Sequence, residues 1–378
     1  MSGLGTLSKV PAEVVENILD ELCTHHVRHL QEYIPEFIFP WRQGGNFQLS
    51  NLASLARLCR VSKLFNEYTT WRLYHSLMHS RTKSKWFLIV RTLVTRRDLG
   101  GLVRHLALVD LKSDIPEDPA LFYPEVLSYY TKQVALNPDC CLPPDALSLT
   151  DRNGSGGNAI LATIISLCPN LSTLDLASYG SCTPCGFCSA ASMLSLTGVV
   201  ASFSAHSTND WDDVESFLPL LRAAPNLRFL RFVDIGCFSL PEDLRLEHVA
   251  NLDLQSCIEG DALAKFLQLC PNLQRLKYMY KEDSPWPDAQ FRSAEAASTV
   301  LAHAPNLREF YLDLADLQSD LVDLQSDIAD LQFDLSFLPM FEKMEEDEMR
   351  LSKELLEARG ITCKFGMVLD TAGHLIYI

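Results

Sequence analysis

Cys182-Thr183-Pro184-Cys185-Gly186-Phe187-Cys188 carries three thiols with two-residue gaps, a spacing that lets successive thiolates face one metal ion or cluster. A fourth ligand is missing nearby, because Ser192 stands where a four-thiolate run of this kind would continue. The run therefore reads first as a loop with incidental thiols, and an enzyme built on it is the alternative. His25 with His29, and His75 with His79, have the i, i+4 spacing of one helix face, but the Glu of a zinc-protease motif is absent from both. No Gly-Lys-Ser or Gly-Lys-Thr phosphate loop follows the glycines at 154, 156 and 157, and no Gly-x-Ser-x-Gly elbow occurs. The expectation is a chain without metal, cofactor or catalytic residues.

The elements that would position any binding residues come from an internal repeat. Cys168-Pro169-Asn170-Leu171, Ala224-Pro225-Asn226-Leu227, Cys270-Pro271-Asn272-Leu273 and Ala304-Pro305-Asn306-Leu307 are near-copies. Four residues before each Pro stand Ile165, Leu221, Leu267 and Leu301, and eight before stand Leu161, Phe217, Leu263 and Ala297, which is one face of a helix. Proline ends that helix, since it lacks the next backbone donor and disfavours the helical region in its predecessor. Beyond the turn the period changes to two: Leu171, Leu174, Leu176; Leu227, Leu230, Phe232; Leu273, Leu276, Tyr278; Leu307, Phe310, Leu312. Val103-Leu106-Leu108 and Val249-Leu252-Leu254 fit the same frame without the Pro-Asn turn, and residues 194–203 have room for another copy.

This helix, Pro-Asn turn and L-x-x-L-x-L strand resemble a leucine-rich repeat of the cysteine-containing kind, with Cys257 where that family's strand-terminating Cys or Asn belongs. Tyr179, Ile235, Lys281 and Ala315 occupy that place in the other copies, so the array is degenerate. An ordinary doubly wound α/β sheet seldom repeats one turn sequence four times. Each unit has an apolar helix face and an apolar strand face and cannot bury both alone, so stacking into a solenoid with a parallel sheet is expected. Residues between the leucines should then point outward: Thr173, Asp175, Phe229, Arg231, Asn251, Asp253, Arg275, Lys277, Glu309 and Tyr311. From them Asp175, Phe229, Arg231, Asp253, Arg275, Lys277 and Tyr311 form the candidate substrate-binding set, a mixed polar and aromatic surface suited to a macromolecule.

Ahead of the repeats, residues 7–22 read as an amphipathic helix with Pro11 in its first turn and Glu13 and Glu16 at its positive end. A second helix is predicted over 52–65, where Leu55, Leu58, Val61, Leu64 and Phe65 recur at three and four. The strings Leu7-Ser8-Lys9-Val10-Pro11-Ala12-Glu13-Val14, Ile18-Leu19 and Leu58-Cys59-Arg60-Val61-Ser62-Lys63-Leu64-Phe65 resemble an F-box over about 70 residues. The resemblance implies a small helical domain that docks on a Skp-family adaptor and through it a cullin, while the repeats hold a protein target. It assigns Leu7, Pro11, Val14, Ile18, Leu19, Leu58, Val61, Leu64 and Phe65 to the adaptor contact or its support. An insertion at 31–46, with Tyr33, Phe37, Phe39 and Trp41, departs from a compact F-box. A helical cap that only seals the first repeat is the other reading of this segment.

Two stretches fit no repeat. Residues 113–158 are rich in Pro, Asp and Gly and read as an irregular insertion or weak repeats. In the run from Leu314 to Leu338 a seven-residue unit with a/d spacing has been copied, yet the seven Asp residues from Asp313 to Asp334 repel one another and form helix poorly, which favours a loosely packed acidic helix or loop over a dedicated coiled coil. Residues 341–358 read as a helix stopped by Gly360, with closing strands at 361–365 and 374–378 covering the last repeat.

Charge is divided along the chain. Residues 1–110 carry 14 basic and 9 acidic side chains and residues 111–378 carry 18 and 39, together the net −16. The larger part repels polyanions, so nucleic acid is not the expected ligand. No apolar run reaches the roughly 18 residues of a membrane span, and the N-terminus lacks a signal-peptide pattern. The 12 cysteines are scattered and expected to stay reduced, in cytoplasm or nucleus.

The fold class expected is α/β: a helical F-box-like segment at 1–80, a first repeat and insertion at 81–158, leucine-rich repeats at 159–314, an acidic insertion at 315–340 and a closing segment at 341–378. The function implied by the resemblance is a non-catalytic substrate receptor of a cullin ubiquitin ligase. A repeat scaffold without ubiquitin linkage is the alternative.

Overall fold

The computed structural model describes residues 11–22, 54–78, 86–109, 124–136, 147, 155–177, 193–202, 217–233, 241, 243–255, 260–279, 293–313, 350–365, 367–369 and 375–377. Leu7, the 31–46 insertion, the Cys182 to Cys188 run, His25, His29, His79, Cys257 and the acidic insertion lie outside the described residues. In chain order the elements are α1 (Ala12–Leu22), α2 (54–58), α3 (Lys63–His75), β1 (Ser76–Met78), α4 (Trp86–Thr95), α5 (Arg97–Gly100), β2 (His105–Val109), α6 (Pro124–Leu136), α7 (Ser155–Leu167), β3 (Thr173–Ala177) and β4 (Gly198–Ser202). There follow α8 (Leu218–Ala223), β5 (Phe229–Val233), β6 (Asn251–Gln255), α9 (Gly260–Leu269), β7 (Arg275–Met279), α10 (Ser293–His303), β8 (Glu309–Asp313), α11 (350–358), β9 (Thr362–Phe365), β10 (Met367–Leu369) and β11 (Leu375–Tyr377).

The protein is mixed α/β: β1 and β2 pair in parallel in the first unit, and β4 to β9 pair in parallel and in sequence order in the second. Chain contacts divide it into two units, residues 1–175 and 176–378, with the division inside β3.

The period-two positions face the core. Leu174, Leu230, Leu252, Leu276 and Phe310 are all buried, as are the helical Ile165, Leu221 and Leu267 four residues before their prolines. Burying a Leu or Phe side chain of this kind contributes about 1.5–3 kcal/mol. In the second unit Phe217, Phe232 and Phe266 form an edge-to-face series, with centroids 6.1 and 5.9 Å apart, that ties the start of α8 to β5 and α9.

Each Pro-Asn segment closes a turn in which the following Leu N–H donates three residues back: Leu171 to Cys168, Leu227 to Ala224, Leu273 to Cys270 and Leu307 to Ala304, at 3.1–3.2 Å. The same turn recurs without Pro-Asn, from Val103 to Gly100, Leu196 to Met193 and Val249 to Leu246. Leu196 with β4 is thus the further copy that the 56-residue step between Leu171 and Leu227 left room for. Gly100 is required in its turn by close approach, since a Cβ there would lie 2.0 Å from the Leu167 carbonyl oxygen.

Three expected elements are corrected. The 52–65 helix is not continuous: residues 59–61 turn, and a new helix starts at Lys63. Ser62 causes the break, because its extended backbone and its Oγ, which accepts the Phe65 N–H at 3.2 Å, make it an N-cap. The 113–158 stretch contains a regular helix, α6, which Pro124 can open because a first-turn residue needs no backbone donor. Val126, Tyr129 and Tyr130 supply its buried face. Finally, of the two closing strands only the first covers the last repeat. β9 joins β8 in parallel, whereas β11 pairs with β10 in a separate antiparallel sheet.

Gly360 ends α11 as expected. It holds φ 77°, its N–H donates to Glu357 O at 2.8 Å, and the Ile361 N–H reaches Leu356 O at 3.1 Å, the paired bonds of a Schellman cap.

Candidate functional site

Strand alternation sends every second residue of the second unit's sheet away from the helices. Parallel register aligns these residues in rows. One row is Phe229, Asn251, Arg275, Glu309 and Thr362; the next is Arg231, Asp253, Lys277 and Tyr311.

The candidate substrate-binding residues do not share one exposure. Asp253 is 4% exposed, and Phe229 is buried, whereas Arg275 and Glu309 are open and Lys277 and Tyr311 half-buried. In the first unit Thr173 and Asp175 are buried too. This corrects the expectation that all of these residues are presented outward. Adjacent strands lie about 4.8 Å apart, so a short side chain flanked by longer ones is shielded whichever face it points to. Among the described residues the most exposed positions of the second unit's face are Arg275, Glu309 and Thr362, on β7 to β9.

Charges along the rows are paired across strands. Arg231 Nε lies 3.2 Å from Asp253 Oδ2, an ion-pair distance off the N–H axis, with both side chains largely covered. Arg275 Nε lies 3.2 Å from Glu309 Oε2 in a pair that is about half exposed. The Lys277 ammonium sits 4.8 Å from the Tyr311 ring centroid, a cation–π contact. Surface pairs of the Arg275–Glu309 type contribute about 0–1 kcal/mol and exchange readily with incoming ligands.

In the first unit, Val15 and Leu19 of α1 and Leu55 of α2 form a buried cluster, against which Leu58, Phe65, Tyr68 and Leu73 pack. Arg72 is buried at its edge and ties α3 to α1: Nη1 donates to Tyr68 O at 2.8 Å, and Nη2 reaches Glu16 O at 3.5 Å. Of the candidate adaptor-binding residues, Leu19, Leu58 and Phe65 serve this core, while Pro11, Val14, Val61 and Leu64 are exposed. Leu7 and the side chain of Ile18 lie outside the described residues.

A polar contact that residue spacing had not indicated, made by His105, lies on the first unit's sheet. His105 Nδ1 is 2.6 Å from Thr173 Oγ1, and its ring stacks edge-on to His75 at 5.0 Å. Burial, then the neighbouring His75 and Arg104, lowers the His105 pKa to about 4, so the imidazole is neutral at pH 7. The signal was present in the repeat frame, because His105 and Thr173 each stand two residues after the frame's opening apolar residue, Val103 or Leu171. The pair satisfies its own hydrogen-bonding groups across β2 and β3. Among the described residues no group of three His, Cys, Asp or Glu side chains is placed to hold a metal. No described helix is long and apolar enough to cross a membrane.

The two cysteines of the Pro-Asn turns are inert by position. Burial pushes the Cys168 thiol up to about 12 and Cys270 further. Comparison with known proteins gives no family model and no curated protein that matches the chain.

Proposed function

We propose that this chain is a non-catalytic protein receptor, an F-box protein whose leucine-rich repeats hold a target while its N-terminal helices engage a Skp-family adaptor and, through it, a cullin ubiquitin ligase. The observation that carries the reading is the division of labour within the N-terminal helices. Leu19, Leu58 and Phe65 build a core, and Val14, Val61 and Leu64 remain exposed at 44, 52 and 45% on residues that core packing does not use. Large apolar side chains left outside a formed core suit a docking partner. The repeated helix–turn–strand unit, with an open row on β7 to β9, supports a protein-binding role for the other half. Such a receptor acts by tethering, which raises the target's effective concentration at the transfer machinery.

Purified full-length protein tested against a recombinant Skp-family adaptor decides the first half of this reading. Binding is expected at micromolar concentration and lost in Val14→Asp/Leu64→Asp, whose sites are exposed and whose circular dichroism should match the parent. Failure of the folded parent to bind removes the ligase linkage and leaves a repeat scaffold for protein interaction.

A further inference from the structure

The second unit sits in the strongly acidic part of the chain, where residues 111–378 carry 18 basic and 39 acidic side chains. Its strands do not follow that balance. Taking β5 to β8 with the residue before each, and β9, the segments 228–233, 250–255, 274–279, 308–313 and 362–365 contain six basic and three acidic residues, a net +3. The cations are Arg228, Arg231, Arg275, Lys277, Arg308 and Lys364. Of these, Arg231 is committed to the largely covered pair with Asp253, whereas Arg228, Arg275 and Arg308 are exposed. Within this locally basic part of an acidic chain, the described outward residues of β7 to β9, namely Arg275, Lys277, Glu309, Tyr311 and Thr362, form a strip with two cations and one carboxylate.

We propose that the strip on β7 to β9 binds a carboxylate-rich, extended segment of a protein partner, with Arg275 and Lys277 as its charge-reading residues and Tyr311 as its aromatic wall. The inference deepens the proposed receptor role and rests on it for the existence of a protein target. Arg275 and Lys277 are alternate residues of one strand, so their Cα atoms are about 6.6 Å apart, the same repeat that separates alternate side chains of an extended peptide. Carboxylates at positions i and i+2 of such a peptide meet both cations. Tyr311 lies directly across from Lys277 in the register and presents its ring beside them.

Glu309 already neutralises part of Arg275, but a guanidinium has five donors and this pair is half exposed, so a second carboxylate shares the fork without an uncompensated burial. Repulsion from the rest of the molecule is screened beyond about 8 Å at physiological ionic strength, which leaves the local strip to set the sign of the interaction.

The test uses full-length protein and fluorescein-labelled dodecapeptides by anisotropy: one rich in alternating Glu, one with Gln at the same places, one with Lys. The Glu peptide should bind about tenfold or more tightly than the Gln peptide, weaken with added salt, and lose that advantage in Arg275→Glu/Lys277→Glu. The milder Arg275→Gln/Lys277→Gln, exposed enough to leave the unfolding temperature unchanged, should lose most of it as well. Equal binding of the Glu and Gln peptides overturns the proposal, and so does a Glu preference that survives both double variants. Equally tight binding of a single-stranded oligonucleotide reveals a nonspecific polyanion surface and also overturns it. Binding that appears only after deletion of 315–340 shows that the chain's own acidic run fills the strip, and this too overturns the proposal. Adaptor binding by the same variants reports separately on the ligase reading, because Arg275 and Lys277 lie far along the chain from α1 and α3.

Discussion

The side-chain amide of Asn226 donates to the backbone carbonyl of Leu194 at 2.8 Å. Asn226 ends one Pro-Asn turn, and Leu194 lies in the corresponding turn of the preceding unit. The relationship recurs at 2.8 Å from Asn170 to Gly101, Asn272 to Glu247 and Asn306 to Pro271. In every case the acceptor stands two residues before the strand-opening apolar residue of the earlier copy, Val103, Leu196, Val249 or Leu273. Asparagine in these turns therefore stitches neighbouring copies together, beyond its local fitness for a turn.

Replacing one stitch should cost about 0.5–1.5 kcal/mol, the net worth of a single hydrogen bond. Asn170→Ala is expected at the upper end and Asn272→Ala at the lower, because the first bond is partly buried and the second exposed. Urea unfolding midpoints measure the order; a larger loss in Asn272→Ala would contradict it.

Gly100 and its neighbour Gly101 should respond unequally to alanine. At Gly100 the added carbon meets the Leu167 carbonyl oxygen at 2.0 Å, so backbone must move, at a cost of about 2 kcal/mol or more. At Gly101 the nearest atom lies at an ordinary 3.5 Å, and the change should stay within about 1 kcal/mol. Thermal melts of the two single variants provide the comparison.

Acid should unfold the first unit partly through His105. Free histidine takes up its proton near 6.5, but the buried ring does so only at about 4. Between these values the unfolded chain binds more protons than the folded one, so stability falls as pH drops from 6.5 to 4 and falls no further below. The whole effect is on the order of 3 kcal/mol. In His105→Gln that slope of stability against pH should flatten, as denaturant titrations across the window can show.

Arg231 and Arg275 occupy successive rows yet should differ in weight. Arg231→Ala removes a cation from a largely covered carboxylate, Asp253, and should destabilise by about 2–4 kcal/mol. Arg275→Ala breaks an exposed pair and should change stability by less than about 0.5 kcal/mol. Equal shifts in urea midpoint would show that Asp253 does not depend on Arg231.

Much of this architecture is legible from residue spacing, because local rules act within one copy. Helix periodicity at Leu161 and Ile165, the proline stop at Pro169 and alternation at Leu174 and Leu176 each need only a few residues of context. Breaks set by a single side chain were harder to see. The apolar pattern of 52–65 runs straight through Ser62, and only the backbone bond to Phe65 shows that a helix begins there. Helix α6 was hidden by the prolines around it, since composition averages over a window and capping depends on one position.

Residue spacing alone marks which strand positions of the Pro-Asn copies face the helices, such as Leu174, Leu230, Leu276 and Phe310, because a period of two follows from strand geometry. It could not determine which outward residues reach solvent. Asp253 and Lys277 are equivalent in the repeat frame, yet one is covered and paired with Arg231 while the other is half-buried beside Tyr311. That difference depends on side chains of neighbouring strands, distant in sequence, which come together only when the chain folds. The pairing of His105 with Thr173, 68 residues apart, is of the same kind: each residue is unremarkable alone, and the register of two strands makes them partners.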